Sequence, residues 1–170
     1  GGVGDRADVL EVLLKENVNS VLVAGIVSPG IINELKGKKK ASIKIGGKLG
    51  GGGPLLSLKI EKIVLKSECA IVRVGGIKII LTEQRRPFHQ LKDFTNLGIQ
   101  LKDYRLLVVK SGYLSPELKS LSVPSFMVLT DGAVCQNFDT IENKNRRCPI
   151  FPFQECKKFI PIIRNQKILI

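Results

Sequence analysis

The sequence predicts an α/β fold, a two-layer or three-layer arrangement of a mixed β-sheet with flanking helices and an antiparallel hairpin section. Residues 20–28 form a continuous apolar run, which is typical of a strand covered on both faces. Two alternating runs flank the pair Gly75-Gly76, which is typical of a tight antiparallel hairpin. Short helical segments separate the strands, and 44% hydrophobic residues in a chain of 170 exclude a disordered protein.

The first third of the sequence predicts a helix, a strand and a second helix. Residues 5–16 are amphipathic, because their apolar side chains recur on one helical stripe, and Asp5 is expected to be the N-cap. The buried strand at 20–28 follows, and Pro29 then opens a short helical segment that ends at Leu35.

The middle of the chain predicts an antiparallel section. Residues 41–45 and 55–66 each alternate between apolar and polar side chains, so each is expected to be a half-buried strand. Between them lies a glycine-rich loop that begins at Gly46. The hairpin strands at 70–74 and 77–81 come next.

The second half predicts a βαβ unit. A strand at 104–110, a short helix opened by Pro116 and a strand at 125–130 follow one another with tight connections, so the two strands should be parallel. We expect the strands around 21–27, 104–109 and 125–130 to be buried.

The net charge of the chain is +12, from 27 Lys and Arg against 15 Asp and Glu. Because nucleic-acid phosphates bind clustered Lys and Arg, this charge suggests a nucleic-acid partner. The basic clusters are short, however, and elsewhere lysine alternates with apolar residues along strands. With 5% aromatic residues and no recognised nucleic-acid motif, a solvated lysine-rich surface is the favoured interpretation and nucleic acid is disfavoured as a partner. No apolar run reaches the ~20 residues of a membrane span, and no signal-peptide pattern is present, so we expect a cytoplasmic protein without membrane contact.

The cysteines do not predict a metal site. They show no closely spaced pair and only His89 could assist them, whereas structural zinc needs four ligands. Buried free thiols are the favoured interpretation, and a Cys135–Cys148 or Cys148–Cys156 disulfide stays open as the alternative. The cysteines are Cys69, Cys135, Cys148 and Cys156.

The glycine-rich loop is the first candidate site. Its pattern around Gly47 and Lys48 is not a Walker motif, because no Ser or Thr follows the lysine. It is not a dinucleotide fingerprint either, because strands are predicted on both sides. The loop is therefore either a mobile connection or a substrate-contacting or anion-contacting loop in which Lys48 supplies a point charge.

The ends of the predicted parallel strands carry the other candidates. Lys110 and Asp131 each follow an apolar run and should lie within reach of each other, either as an ion pair or as a substrate-facing pair. Arg85 ends the hairpin and could clamp a carboxylate, whereas a structural role is favoured for His89 and Ser111 lacks a base. We expect Lys48, Arg85, Lys110 and Asp131 to share one face near residues 1–5, and we assign no catalytic residue.

The motifs in chain order resemble a known family. GGVGD, VLVAGIVSP, IGGKLGGGGPL, VVKSGYLSPEL, MVLTDGAV and RRCPIFPF are similar to blocks of the C-terminal domain of the MlrC family, the microcystinase C-like metallopeptidases. The resemblance covers residues 1–153 and leaves residues 154–170 as a C-terminal extension.

The resemblance implies the C-terminal domain of a metal-dependent hydrolase that shapes the substrate site beside a metal-binding N-terminal domain, joined in cis or in trans. Zinc is expected in that N-terminal domain and no cofactor in this chain, which alone should be inactive. The substrate would be a small peptide or an anionic molecule. A histidine that many members carry after the lysine–serine pair has no counterpart in Gly112-Tyr113-Leu114. The alternative function is a basic, stand-alone module that binds nucleic acid or another anion.

Overall fold

A central mixed sheet organises the described part of the chain. The computed structural model describes residues 3–49, 52–131 and 135–137. The elements that follow all lie in one unit, Gly1–Gln136, whereas the second unit, Asn137–Ile170, lies outside the described residues except for Asn137. In chain order they are α1 (Asp8–Lys15), β1 (Val21–Val27), α2 (Ile31–Leu35), β2 (Ala41–Ile45), β3 (Leu56–Ile60), β4 (Lys62–Leu65), β5 (Cys69–Val74), β6 (Ile77–Thr82), α3 (Leu91–Thr95), a 3-10 turn (Leu101–Asp103), β7 (Leu106–Val109) and α4 (Pro116–Lys119).

The five-stranded sheet has the order β4-β5-β6-β1-β7. β1 pairs in parallel with β6 and β7, whereas β4, β5 and β6 are antiparallel to one another. All seven residues of β1 are buried, which confirms the prediction from its continuous apolar run. Since β6, β1 and β7 run in the same direction, their carboxyl ends at Thr82, Val27 and Val109 meet at one edge, which we call the carboxyl edge.

The sheet is covered on both faces, which gives three layers. One face packs against α1, α2 and a two-stranded sheet of β2 and β3, with Leu10, Ile31 and Leu58 in that core. The other face packs against α3 and α4 through Phe94 and Leu118. The α/β class, the mixed sheet and the hairpin at Gly75-Gly76 are therefore confirmed.

The alternating run at 55–66 forms two strands rather than one. β3 pairs with β2, whereas β4 pairs with β5 in the large sheet, so the chain passes from one sheet to the other at Glu61. The Glu61 amide donates to the carbonyl of Arg73, and its carboxylate accepts the Gly75 amide. Alternation shows which side chains face inward, but it does not show which strand will be the neighbour.

The predicted strand at 125–130 is wrong. These residues form no helix or strand, and Phe126 is 87% exposed and Met127 is 55% exposed. β7 is consequently an edge strand, and the expected burial of 104–109 is wrong, because Leu106 is 39% exposed and none of these residues is fully buried. Apolar and β-branched composition favours a strand, yet a strand forms only where a partner edge and a covering layer are available.

Two helix boundaries also differ from the prediction. α1 begins at Asp8 with Ala7 as its N-cap, and Asp5 lies three residues before it. α2 begins at Ile31 after Gly30, whose φ of 80° lies in the left-handed region. The Asp5 carboxylate is not available as a cap because it binds other backbone groups, as described below.

Two cysteines fall within the described residues, and both are free. Cys69 is buried, and its burial raises the pKa of the thiol. Cys148 and Cys156, like the boundary expected at residue 153, lie outside the described residues. No helix in the described part of the chain has the length and hydropathy needed to cross a membrane.

We predict that Phe94→Ala lowers the free energy of unfolding by about 3–5 kcal/mol, because it removes a fully buried ring that packs 5.4 Å from the Phe88 ring. Urea denaturation followed by circular dichroism measures the change. Val12→Ala is the control: Val12 is 57% exposed, so its loss should change stability by less than about 0.5 kcal/mol. Equal effects of the two substitutions would contradict the packed layer under α3.

Candidate functional site

A buried carboxylate organises the loop that follows β2. Asp5 is only 3% exposed, and its Oδ2 accepts the backbone amides of Lys48 at 2.5 Å and Leu49 at 2.8 Å. Hydrogen bonds to an ionised acceptor are stronger than neutral ones, and a buried carboxylate needs such partners. Asp5 therefore fixes the first part of the glycine-rich loop, at Lys48 and Leu49, across 43 positions of sequence.

The loop itself requires glycine at its base. Gly46 has a φ of 88°, and a Cβ at that position would lie 2.4 Å from the carbonyl oxygen of Pro54. At Gly47 the corresponding distance is 2.9 Å to the carbonyl oxygen of Gly53. The two arms of the loop thus lie too close together for side chains, and the backbone of Gly47 stays accessible to a ligand.

Asp5 lies at the carboxyl edge of the sheet. The amide of Val27, the last residue of β1, donates to the carbonyl of Gly4 at 3.1 Å. Lys110 follows β7 at the same edge, and its Nζ donates to the carbonyl of Arg6 at 2.5 Å. The segment before α1 therefore meets the end of β7 above the end of β1, which brings Asp5 and Lys110 into one neighbourhood.

Lys110 is half-buried, and its surroundings change its acidity. Desolvation lowers the pKa of Lys110 below its ordinary value of 10.5, whereas the negative charges of Asp5 and Asp8 act in the opposite direction. An ammonium with a lowered pKa gains more from a new negative partner than a fully solvated lysine does. A negative group bound at this edge would therefore offset part of the desolvation of Lys110.

Arg6 contacts the start of α1 and the glycine-rich loop. Its Nε and Nη2 bind the two carboxylate oxygens of Asp8 at 3.0 and 2.6 Å, and this pairing holds the pKa of Asp8 below its usual range. The Arg6 stem packs against the glycine-rich loop, since a Cβ on Gly53 would lie 3.2 Å from its Cγ. The negative charge of Asp131 also favours the Arg6 cation.

The predicted site residues are only partly assembled. The backbone of Gly47 and Lys48 and the side chain of Lys110 gather around Asp5 and Arg6. Arg85 is exposed in the segment after β6, where no described contact links it to the others. That these residues bind substrate remains a prediction.

Two of the predicted site residues, Asp131 and Lys48, have other neighbours in the structure. The exposed Asp131 interacts with Arg6, and no ion pair among the described residues joins it to Lys110, because the strand that would have placed it there does not form. The Nζ of Lys48 donates to the carbonyl of Lys44 at 3.4 Å, so this ammonium lies over β2.

His89 and Ser111 have structural partners. The His89 amide donates to Asp93, and its carbonyl accepts the Ser115 hydroxyl at 2.5 Å, which ties the segments after β6 and β7 together. The Ser111 hydroxyl donates to the carbonyl of Tyr113 at 2.6 Å. The His89 contacts are made by its backbone, so a structural role for its imidazole stays a prediction, and the contact of Ser111 is to a carbonyl rather than to a base.

Sequence reasoning missed the acidic and basic side chains that build this site. Asp5 was interpreted as a helix cap, since an acidic residue just before an amphipathic run is the usual sign of one. Arg6 has no predicted role, and Asp8 is expected only as an acidic residue near the positive end of the first helix. The one available signal was the acidic residue directly after Gly4, and it does not show which distant backbone amides the carboxylate will bind.

No metal centre is formed by the described residues. Among residues 3–49, 52–131 and 135–137, no group of three or more His, Cys, Asp or Glu side chains could hold a metal ion. The donors gathered at the carboxyl edge are ammonium, guanidinium and backbone amide groups, which suit an anion.

The fold and the edge define a three-layer α/β domain with a carboxylate-anchored glycine-rich loop. Residues 1–145 match the family model of the MlrC C-terminus. The chain therefore belongs to the MlrC C-terminal domain family, as the ordered motifs predicted.

A solved structure shares this fold. The chain is similar to the crystal structure of a "putative metallopeptidase" from Mesorhizobium sp. BNC1, with a TM-score of 0.67 and 15% sequence identity. The match covers 93% of this chain but only 38% of the Mesorhizobium chain, so the present sequence spans well under half of that protein. No curated protein gives a significant match.

We predict that Asp5→Ala lowers the free energy of unfolding by about 2–4 kcal/mol, because it leaves the amides of Lys48 and Leu49 without their charged acceptor. Thermal and urea denaturation measure the loss. Asp103→Ala is the control, since Asp103 is exposed and its removal should cost less than about 0.5 kcal/mol. A neutral Asp5→Ala variant would contradict the anchoring role.

We predict that the pKa of Lys110 lies below its ordinary value of 10.5, and lower still in Asp5→Asn, because the loss of a negative charge further disfavours the ammonium. NMR of the lysine side-chain ¹³Cε signals measures both pKa values. The folded pKa lies below the unfolded one, so this group makes folding more favourable as pH rises from the folded pKa towards 10.5. An ordinary pKa for Lys110, or an upward shift in Asp5→Asn, would contradict this account.

Proposed function

We propose that this chain is the C-terminal domain of a metal-dependent hydrolase of the peptidase type and that it forms one wall of the substrate site. The observation that carries the proposal is the gathering of Lys110 and the glycine-rich loop at the carboxyl edge by Asp5 and Arg6. Ligands of open α/β sheets bind at this edge. Membership of the MlrC C-terminal family and the fold shared with the Mesorhizobium protein support it.

The metal in this proposal belongs to an N-terminal domain of the same family, joined in cis or in trans. Zinc held there would supply an activated water and polarise the scissile carbonyl. The described residues of this chain contain no comparable donor group, so their part is to bind and orient the substrate. The free thiols of Cys69 and Cys135 are compatible with the expected cytoplasmic location.

The side chains at the edge have separate tasks in the proposal. Lys110 uses one N–H on the Arg6 carbonyl and keeps two donors for a carboxylate of a small peptide or another anionic substrate. Arg85 could bind a second anionic group through its planar fork. The Gly47 backbone would let the substrate approach closely, and Asp131 would receive a cationic group.

The proposal is tested in a two-domain protein, in which this chain is joined to the metal-binding N-terminal domain of a family member and assayed on a panel of linear peptides. We expect Lys110→Ala to lower kcat/KM about tenfold or more, because a charge-assisted contact worth ~1.4 kcal/mol is lost. The free energy of unfolding should fall by less than ~1.4 kcal/mol. Lys102→Ala removes the same charge from an exposed position and should leave kcat/KM unchanged.

Two results would contradict the proposal. One is a loss of folding in Lys110→Ala without a specific loss of turnover in the folded fraction. The other is full peptidase activity, or about one zinc per chain after dialysis, in the present chain alone. We expect neither zinc nor activity without the N-terminal domain, and elemental analysis and peptide assays of the isolated chain measure both.

A further inference from the structure

A second basic surface lies away from the edge contacts of Lys110. Residues 36–48 contain six lysines and no Asp or Glu, and every one of these lysines is exposed. The four ion pairs among the described residues all use arginine, so none of these lysines is neutralised by such a pair. Like charges held this close repel one another, and a bound anion would relieve that repulsion.

The small sheet arranges part of this surface. The inner face of β2 and β3 is buried, whereas the outer face carries exposed hydroxyl and ammonium groups in alternation. Lys44 lies opposite Ser57, and Ser42 lies opposite Lys59. Directly opposed residues of an antiparallel pair have Cβ atoms about 4.5–5.5 Å apart, so each lysine has a hydroxyl as its cross-strand neighbour.

A shallow cavity lies on this outer face. Its volume is about 350 Å³, and the residues that line it include two lysines, two serines and one glutamate. The Nζ of Lys48 lies beside β2, where it donates to the Lys44 carbonyl, and both lysines line the cavity. The lining residues are Glu34, Ser42, Ile43, Lys44, Lys48 and Ser57.

We propose that this cavity binds the phosphate group of a small ligand. Two ammonium groups and two hydroxyls can surround a tetrahedral oxyanion with charged and neutral donors. The Glu34 carboxylate reduces the local charge of the lining to one positive unit, which suits a single phosphate rather than a run of them. The lining contains no aromatic side chain on which a base could stack, so a nucleic-acid strand is disfavoured.

The proposed phosphate site goes beyond the proposed hydrolase function, yet it is physically linked to the carboxyl edge. Lys48 supplies its ammonium to the cavity and its backbone amide to Asp5. A phosphate bound in the cavity would therefore restrain the same loop that Asp5 positions.

The test is an NMR titration of the full chain with inorganic phosphate at constant ionic strength. We expect saturable amide shifts centred on Ser42, Lys44, Lys48 and Ser57. Lys44→Gln with Lys48→Gln should weaken binding at least tenfold. The control is Lys38→Gln with Lys39→Gln, which removes the same charge from the same basic stretch outside the cavity lining and should weaken binding less than twofold.

Three outcomes would overturn the proposal: shifts centred elsewhere, equal weakening in both double variants, or no saturation. A single-stranded oligonucleotide is titrated in parallel. The surface would be a non-specific basic one if the oligonucleotide binds tightly, both double variants weaken that binding equally, and phosphate binding does not saturate. Because the hydrolase proposal depends on the response of kcat/KM to Lys110→Ala, either proposal can fail without the other.

Discussion

The structure of the candidate site depends on one buried carboxylate. Asp5 lies before the first helix, yet it accepts two backbone amides from a loop more than 40 residues away. Without that acceptor, the amides of Lys48 and Leu49 would lose a charged hydrogen-bond partner, which stabilises more than a neutral one does. The same segment presents the Arg6 carbonyl to Lys110, so one short stretch before α1 joins the glycine-rich loop to the end of β7.

The fold was predictable where a pattern reports burial directly. The continuous apolar run of β1 and the glycine pair between β5 and β6 gave the correct element type, because burial on two faces and a tight turn each demand particular residues. The run at 125–130 has the same composition as a buried strand but is exposed in the structure. Composition records a preference for extended structure, whereas strand pairing depends on an edge and a covering layer that lie elsewhere in the sequence.

The site was less predictable than the fold, for a related reason. The glycine-rich loop and Lys110 could be chosen from the sequence because glycine clusters and strand ends are local features. Asp5 and Arg6 act through backbone groups of distant residues, and no local spacing reveals such partners. Local sequence also does not predict the two contacts of Lys48. Its amide binds Asp5 at the carboxyl edge, whereas its ammonium lies over β2.

The half-burial of Lys110 bears on how a second domain could join this edge. Desolvation already disfavours its ammonium, and only part of that cost is offset by the Arg6 carbonyl and by the charges of Asp5 and Asp8. A domain that covered the edge without a negative group would desolvate Lys110 further and raise the cost. A substrate carboxylate that arrived with the domain would offset it instead, because Coulomb attraction strengthens as water is excluded. In the proposed hydrolase, closing the edge and binding an anionic substrate would therefore favour each other.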